Sequence, residues 1–258
     1  MLKLEEAFLV KRSTWNKPFL FSITGILVLI LGWIIVSTLA NNDLIFPKID
    51  QIAGAIFDIF RKGENLKYIV FDIMRIIFSI IVSFVVAVIV VFFYIRFKSS
   101  YYFLKPILVF FKTIPVIAVS VFIWLLVGGK NVPIITTILV TIPVIIGGLV
   151  GAIDNMDKSL VDELKMVNNN YMKSFFYVYL PYLVPYLFIA FFQTFGLGLK
   201  VMVTSEYLSQ TKNSIGKALY NAQSNIAIDE ILAWSIIIVI FVGISELLIK
   251  KISKSLEY

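Results

Sequence analysis

Long apolar stretches separated by short polar connectors dominate the pattern of the chain. Six of them are long enough to cross a bilayer, and they cover residues 18–40, 69–95, 106–127, 132–153, 178–203 and 231–249. A helix rises about 1.5 Å per residue, so roughly 20 apolar residues span the hydrocarbon core of a membrane. The pattern therefore predicts an all-α integral membrane protein, with six transmembrane helices in a single domain over residues 1–258.

Composition narrows the classes of function. Hydrophobic residues make up 60% of the 258 residues and the mean hydropathy is +0.94, well above the range of a soluble domain. The basic residues behind the net charge of +7 flank apolar stretches, so we expect contact with the lipid bilayer and none with nucleic acid. Without Cys or His the chain has no disulfide, no Cys/His zinc site and no histidine acid–base chemistry. We therefore expect no catalytic residue, no bound metal and no enzyme activity.

A shorter amphipathic segment follows the first span. Its isoleucines recur at near-helical spacing, at Ile49, Ile52, Ile56 and Ile59. The spacing predicts a helix that lies either on the membrane surface or against the bundle.

Ionisable side chains inside the spans are candidates for function, because a charge in lipid is costly and usually faces a cavity or a partner. Asp72 and Arg75 lie three residues apart on one helix face, so we expect them to pair. Lys112 precedes Pro115, which interrupts the third span. A lysine near the end of a span can also reach the headgroups, and that alternative stays open for Lys112.

The fifth span combines prolines with polar side chains, as expected of a helix that lines a pore. Freed backbone groups are tolerated at membrane depth only against protein or water. The candidate pore residues of the chain are Lys112, Pro115, Gln193, Thr194, Lys200 and Glu206.

The sequence contains no visible nucleotide-binding loop. Gly129-Lys130 has the Gly-Lys pair of a phosphate loop, but Trp124 stands at its first Gly and Asn131 at its magnesium-binding Ser/Thr. If ATP hydrolysis takes part in the function, it belongs to a partner.

The loop 154–177 is the largest polar interruption in the second half of the chain. Ser159 and Asp162 fit a capping box at the start of a short helix, and apolar positions then recur at helical spacing as far as Val167. The asparagine run 168–170 favours a sharp turn, because Asn tolerates left-handed backbone angles. Such an exposed two-helix elbow between spans is typical of a docking surface.

This elbow resembles the EAA loop of ABC importer permeases, the segment that plugs into the ATPase subunit. Asp162 stands at the Glu of the motif, Glu163 and Leu164 stand at its two Ala, and Leu180-Pro181 matches its end. Asn168 replaces the Gly of the motif, and the loss of both alanines is a second departure. The resemblance implies a role in ATPase coupling for Asp162, Glu163, Leu164, Val167, Asn168 and Tyr171.

Other segments are similar to permeases for nitrate, sulfonates, taurine and thiamine precursors. The third span has their Pro, basic residue, Ile-Pro pair, Trp and Gly. Arg75 matches the arginine of the Ser-x-x-Arg start of their second span, where Asp72 departs from the Ser. Glu206-Tyr207-Leu208 closes the fifth span in the same way, and Ile215-Gly216 matches their Gly-x-Gly stretch with its first Gly lost.

The resemblance implies a type I ABC importer permease. Such a chain would form a homodimeric pore, with two copies of an ABC ATPase on the cytoplasmic side and a substrate-binding protein on the other. No cofactor would bind the chain itself, because ATP and Mg²⁺ would bind the ATPase. Closure of the ATPase pair would move the two elbows together and open the pore outward.

Charge asymmetry gives the orientation of the chain. The side with both termini, the loop 96–105 and the elbow has thirteen Lys and Arg, against seven on the opposite side. The positive-inside rule therefore predicts cytoplasmic termini in the cytoplasmic membrane of a bacterium, with the elbow on the side where an ATPase binds.

Two questions stay open in the sequence. The transported solute is a small anion such as a sulfonate, nitrate or taurine, or alternatively an uncharged heterocycle such as a thiamine precursor, riboflavin or a pyrimidine. An ion-coupled secondary transporter is the alternative of a different class, although its usual internal repeats and midplane acids are not visible.

Reversing the charge of Asp162 and Glu163 together, to Lys, tests the coupling elbow. We expect loss of co-purification with the ATPase while membrane insertion is unchanged, because the change removes the acidic start of the docking helix. Detergent pull-down and membrane fractionation measure the two properties. ATPase recovery equal to that of the wild type would contradict the assignment.

Overall fold

The computed structural model describes residues 17–40, 42–157, 159 and 170–256. Within these ranges the regular structure is entirely helical. The α-helices are α1 (Lys17–Ala40), α2 (Ile49–Arg61), α3 (Gly63–Arg96), α4 (Lys98–Thr113), α5 (Val116–Val127), α6 (Val132–Asp154), α7 (Tyr171–Ser174), α8 (Leu180–Ser209), α9 (Ile215–Ser224) and α10 (Ile228–Leu256). A 3₁₀ turn, Gly129–Asn131, precedes α6, and a π-helical segment, Phe175–Tyr179, joins α7 to α8.

Five apolar segments of the described chain are long enough to cross a membrane, and a bent pair of helices brings the number to six. This agrees with the all-α membrane fold expected from hydropathy. The two ends of the bundle are named as follows. The α9 end is the one where α8 finishes and α9 begins, and the elbow end is the one near Asp154 and Tyr171.

The segment expected as the third span, 106–127, is not a straight helix. The axes of α4 and α5 differ by 100° across Ile114 and Pro115. Proline has no amide hydrogen and disfavours helical angles in the residue before it, and Ile114 is accordingly extended, at φ −64° and ψ 137°. The sequence marks the position of the break, and the packing of each half sets the angle.

Several helices are longer than the apolar stretches from which the sequence predicts them. The fifth transmembrane segment runs from Tyr171 to Ser209 rather than from residue 178 to 203. Likewise α3 begins at Gly63, before the apolar stretch at 69–95. Backbone hydrogen bonding continues these helices into polar sequence, because a helix already nucleated grows at little cost.

The core lies where α6 and α8 pack against each other and against α3. Near the α9 end, Ile76 and Ile80 of α3 join Leu199, Met202 and Trp234 of α8 and α10. Nearer the elbow end a second buried cluster is built from α3, α6 and α8, including Val91, Ile145, Leu149 and Leu183. These contacts fix α8 against the rest of the chain along most of its length.

The amphipathic helix α2 packs against the bundle. Ile52, Ala55 and Ile59 are buried, and α2 contacts α10 and α3. Of the two positions that the isoleucine spacing allowed, the structure therefore selects the one against protein.

Helix α1 stands apart from this packing. Only 6% of its apolar window is buried, and Trp33 Nε1 donates a hydrogen bond to the carbonyl of Pro47 at 3.1 Å. Exposed leucine, isoleucine and valine side chains around the helix suit contact with lipid.

Gly216 sets the distance between α9 and α8. A Cβ at Gly216 would lie 2.4 Å from Glu206 Cβ and 2.5 Å from the amide nitrogen of Tyr207, so a larger residue forces the helices apart. We expect Gly216→Ala to lower the free energy of unfolding by about 1–3 kcal/mol, as overpacking does. Thermal unfolding in detergent measures the change.

Gly147→Ala is the matched control, because Gly147 is helical and a Cβ there meets no atom of the described chain within 4 Å. Equal stability of the two variants would show that the close approach of α9 is not required.

Candidate functional site

The structure divides the six candidate pore residues into exposed and buried groups. Lys112, Pro115, Gln193 and Lys200 are exposed, whereas Thr194 and Glu206 are fully buried within the chain. The hydroxyl of Thr194 donates to the carbonyl of Ala190 at 2.6 Å, inside its own helix. In this conformation only the four exposed residues are accessible to a solute; Thr194 and Glu206 would first have to be uncovered.

One face of α8 forms a polar stripe. Tyr186, Gln193, Lys200 and Tyr207 are spaced by seven residues, close to two helical turns, and therefore lie along one side of the helix. The side of α8 that carries Leu183, Ala190, Thr194 and Val201 is buried in the chain. An exposed ammonium group such as that of Lys200 is costly in hydrocarbon, so it must meet water, a polar partner or, by extending along the helix, the lipid headgroups.

The opposite side of α8 is apolar. Between α3 and α8 lies a groove of about 600 Å³ with a hydrocarbon lining, formed by Phe84, Val85, Val88, Ile89, Val184, Leu187, Phe188, Phe191 and Phe192. Phe188 and Gln193 are five residues apart, which places the groove about 140° around the helix from the stripe. Helix α8 thus separates an apolar environment from a polar one.

A buried ion cluster lies at the α9 end of the bundle. Arg75 Nη1 is 2.9 Å from Asp72 Oδ1 and 3.1 Å from Glu206 Oε1, and both carboxyl side chains are wholly buried. The structure confirms the pair of Asp72 and Arg75 that their spacing predicts. It adds Glu206, from a helix 131 residues later in the chain.

The same cluster binds the backbone of the segment 211–216. Arg75 donates to the carbonyls of Lys212 at 3.0 Å and Asn213 at 3.1 Å. In return, the amide of Ile215 donates to Asp72 Oδ2 at 2.8 Å, and the amide of Gly216 donates to Glu206 Oε2 at 3.4 Å. Three elements, α3, α8 and the start of α9, are therefore tied at one point.

Within the segment 212–216, the sequence indicates a functional role only for the pair Ile215-Gly216. The sequence does hold a signal for the ion cluster. Arg75 is an arginine within a span and Glu206 is an acid at the end of another, and each needs an oppositely charged partner once it is buried. Spacing along the chain could not predict that Arg75 pairs with Glu206, because the two residues are 131 positions apart.

The elbow end is described only in part. Asp162, Glu163, Leu164, Val167 and Asn168 lie outside the described residues. Tyr171 is described: its hydroxyl donates to the carbonyl of Phe92, and its ring centroid is 4.8 Å from that of Phe92. The start of the second half of the elbow is thereby attached to α3.

One hydrogen bond orders the first residues of the elbow. The amide of Ser159 donates to Asp157 Oδ1 at 3.0 Å, and this bond lowers the pKa of the Asp157 carboxyl. The Asp157 carboxyl therefore caps the turn at Ser159, where the sequence predicts the start of the first elbow helix.

Comparison with known families identifies the class of the chain. Residues 52–256 match the family described as binding-protein-dependent transport system inner membrane component. The chain belongs to this family. It is therefore a multi-pass membrane permease subunit of an ABC transport system, in a family whose members work with an ATPase and a substrate-binding protein. The match covers the second span, the ion cluster, the elbow and α8. A search of curated proteins finds no match.

Arg75→Gln tests the cluster. The change leaves two buried carboxyl groups without their cation, so we expect the free energy of unfolding to fall by about 3–5 kcal/mol. The double variant Arg75→Gln/Glu206→Gln removes one acid as well and should recover part of that loss. Thermal unfolding in detergent distinguishes the two variants, and a double variant no more stable than the single one would contradict the electrostatic account.

Proposed function

We propose that the chain is the pore-forming subunit of an ATP-driven ABC importer for a small anionic solute of the nitrate, sulfonate and taurine class. The polar stripe of α8, with Lys200 exposed in it, carries this proposal. Membership of the permease family supports it.

The stripe requires a second polar surface or water along its length. Two copies of the chain that face each other through α8 would enclose Gln193 and Lys200 around a common axis and leave the apolar groove on the lipid side. Such a homodimer satisfies both environments of α8 at once. Lys112 and Pro115, at the break between α4 and α5, are further candidates for the wall of the pore.

The charge of Lys200 favours an anion over an uncharged heterocycle. A cationic group within a narrow, partly desolvated channel raises the local concentration of anions. The thiamine-precursor and riboflavin alternative lacks a comparable observation in its favour.

Energy would enter through the elbow 154–177, with two copies of an ABC ATPase bound there and ATP and Mg²⁺ held by the ATPase. Closure of the ATPase pair would bring the two elbows together and open the pore toward a substrate-binding protein at the α9 end. In this arrangement the termini and the elbow are cytoplasmic, in agreement with the distribution of Lys and Arg.

Reconstitution in proteoliposomes tests this function. With the ATPase inside and the loaded binding protein outside, we expect ATP-dependent uptake of taurine or nitrate. We expect Lys200→Gln to lower the uptake rate about tenfold, because the pore loses its focusing charge. Lys67→Gln, which removes the same charge from an exposed position outside the stripe, is the control.

Uptake driven by an ion gradient with the chain alone would identify a secondary transporter instead. Equal uptake by Lys200→Gln and wild type would remove Lys200 from the pore.

A further inference from the structure

The polar stripe of α8 continues onto α9. At its end, the hydroxyl of Tyr207 donates to Gln223 Oε1, and the ring of Tyr207 meets that of Tyr220 edge to face, with centroids 5.7 Å apart. Tyr207 is seven residues beyond Lys200, about 10 Å along the axis of α8. The face of α9 that bears Tyr220 and Gln223 therefore lies at the mouth of the proposed pore.

Lys217 completes this face. Its ammonium nitrogen lies 4.6 Å from the centroid of the Tyr220 ring and 3.1 Å from Gln210 Oε1, so the charge has a defined place. An ammonium has three hydrogen-bond donors, and within the described chain Gln210 accepts one of them. The half-buried side chain combines a positive charge with an aromatic wall.

The backbone beneath this face is held in place before any solute arrives. The side chain of Ser214 accepts a hydrogen bond from the amide of Lys217 at 3.0 Å, at the start of α9. Gly216 allows α9 to touch α8, and Arg75 holds the two carbonyls before Ser214. A site whose groups are positioned in advance loses less entropy when it binds.

We propose that Lys217, Tyr220 and Tyr207 form an anion-binding subsite at the mouth of the pore, which receives a small organic or inorganic anion and passes it to Lys200. This proposal rests on the proposed function and assigns the mouth of the same pore. Lys217 provides the charge and Tyr220 provides a hydroxyl. Tyr207, whose own proton is donated to Gln223, provides an aromatic wall, and Lys200 lies about two turns deeper. The other reading of such a cluster is an interfacial Lys/Tyr anchor that contacts lipid headgroups.

Charged thiol reagents test the subsite without knowledge of the solute, because the chain contains no cysteine. Thr204→Cys places one thiol on α8 between Lys200 and Tyr207, at a partly exposed position. Anionic sulfonatoethyl methanethiosulfonate and cationic trimethylammonioethyl methanethiosulfonate each form a mixed disulfide with the cysteine and release methanesulfinate. The ratio of their rates reports the local potential.

The experiment uses the complex with the ATPase in proteoliposomes, with reagent added on the side of the binding protein and the permease followed by its mass. We expect Lys217→Gln to lower the anion-to-cation rate ratio at Thr204→Cys about threefold or more. Lys212→Gln is the matched control, since it removes the same charge from an exposed residue of the adjacent loop, and it should leave the ratio unchanged.

An unchanged ratio in Lys217→Gln, with the cysteine still reactive, would overturn the subsite and favour the lipid anchor while leaving the pore intact. A cysteine that reacts with neither reagent would overturn the pore assignment of α8, and the subsite with it. The two failures are therefore distinct.

Discussion

The ion cluster around the Arg75 guanidinium is the constraint on which the rest of the bundle depends. The carboxyl groups of Asp72 and Glu206 are wholly buried within the chain, and a buried acid is stable there only with a cation and amide donors. Arg75 provides the cation, and the amides of Ile215 and Gly216 complete the set. Because its members come from α3, α8 and the start of α9, the cluster forms only when these three elements have reached their native arrangement.

This arrangement fixes the rotation of α8, and rotation decides what each face of α8 meets. With Glu206 turned to Arg75 and the side with Leu183 and Ala190 turned inward, Lys200 is left exposed. The phenylalanine-lined groove then falls on the far side of the helix. A rotation by one residue, about 100°, would bury Lys200 or expose Glu206. The burial of Glu206 and the exposure of Lys200 therefore both follow from the rotation of α8 about its axis.

Hydropathy and spacing predicted the class of fold, the approximate positions of the spans and the pair of Asp72 and Arg75, because these depend on neighbours along the chain. The role of Glu206 could not be predicted in this way. The sequence names Glu206 as a pore candidate, and in this structure its side chain is fully buried and paired with Arg75, 131 residues earlier in the chain. Pro115 predicts a break in the third span. The 100° angle between α4 and α5 could not be predicted, because it depends on what each of the two helices contacts. The coupling residues from Asp162 to Asn168 stay predictions, outside the described residues.

The break at Ile114 and Pro115 also bears on the lipid environment. Helix α5 has 12 residues, about 18 Å of helix, which is less than the roughly 30 Å hydrocarbon core. Helix α3, with 34 residues, exceeds that thickness, and a helix longer than the core is accommodated by tilting, by kinking or by local thickening of the bilayer. Helix α4 has 16 residues, about 24 Å of helix, and is also shorter than the core. Neither half of the bent pair therefore reaches across the hydrocarbon core by itself, so a crossing of the membrane at this point requires both halves and the break between them.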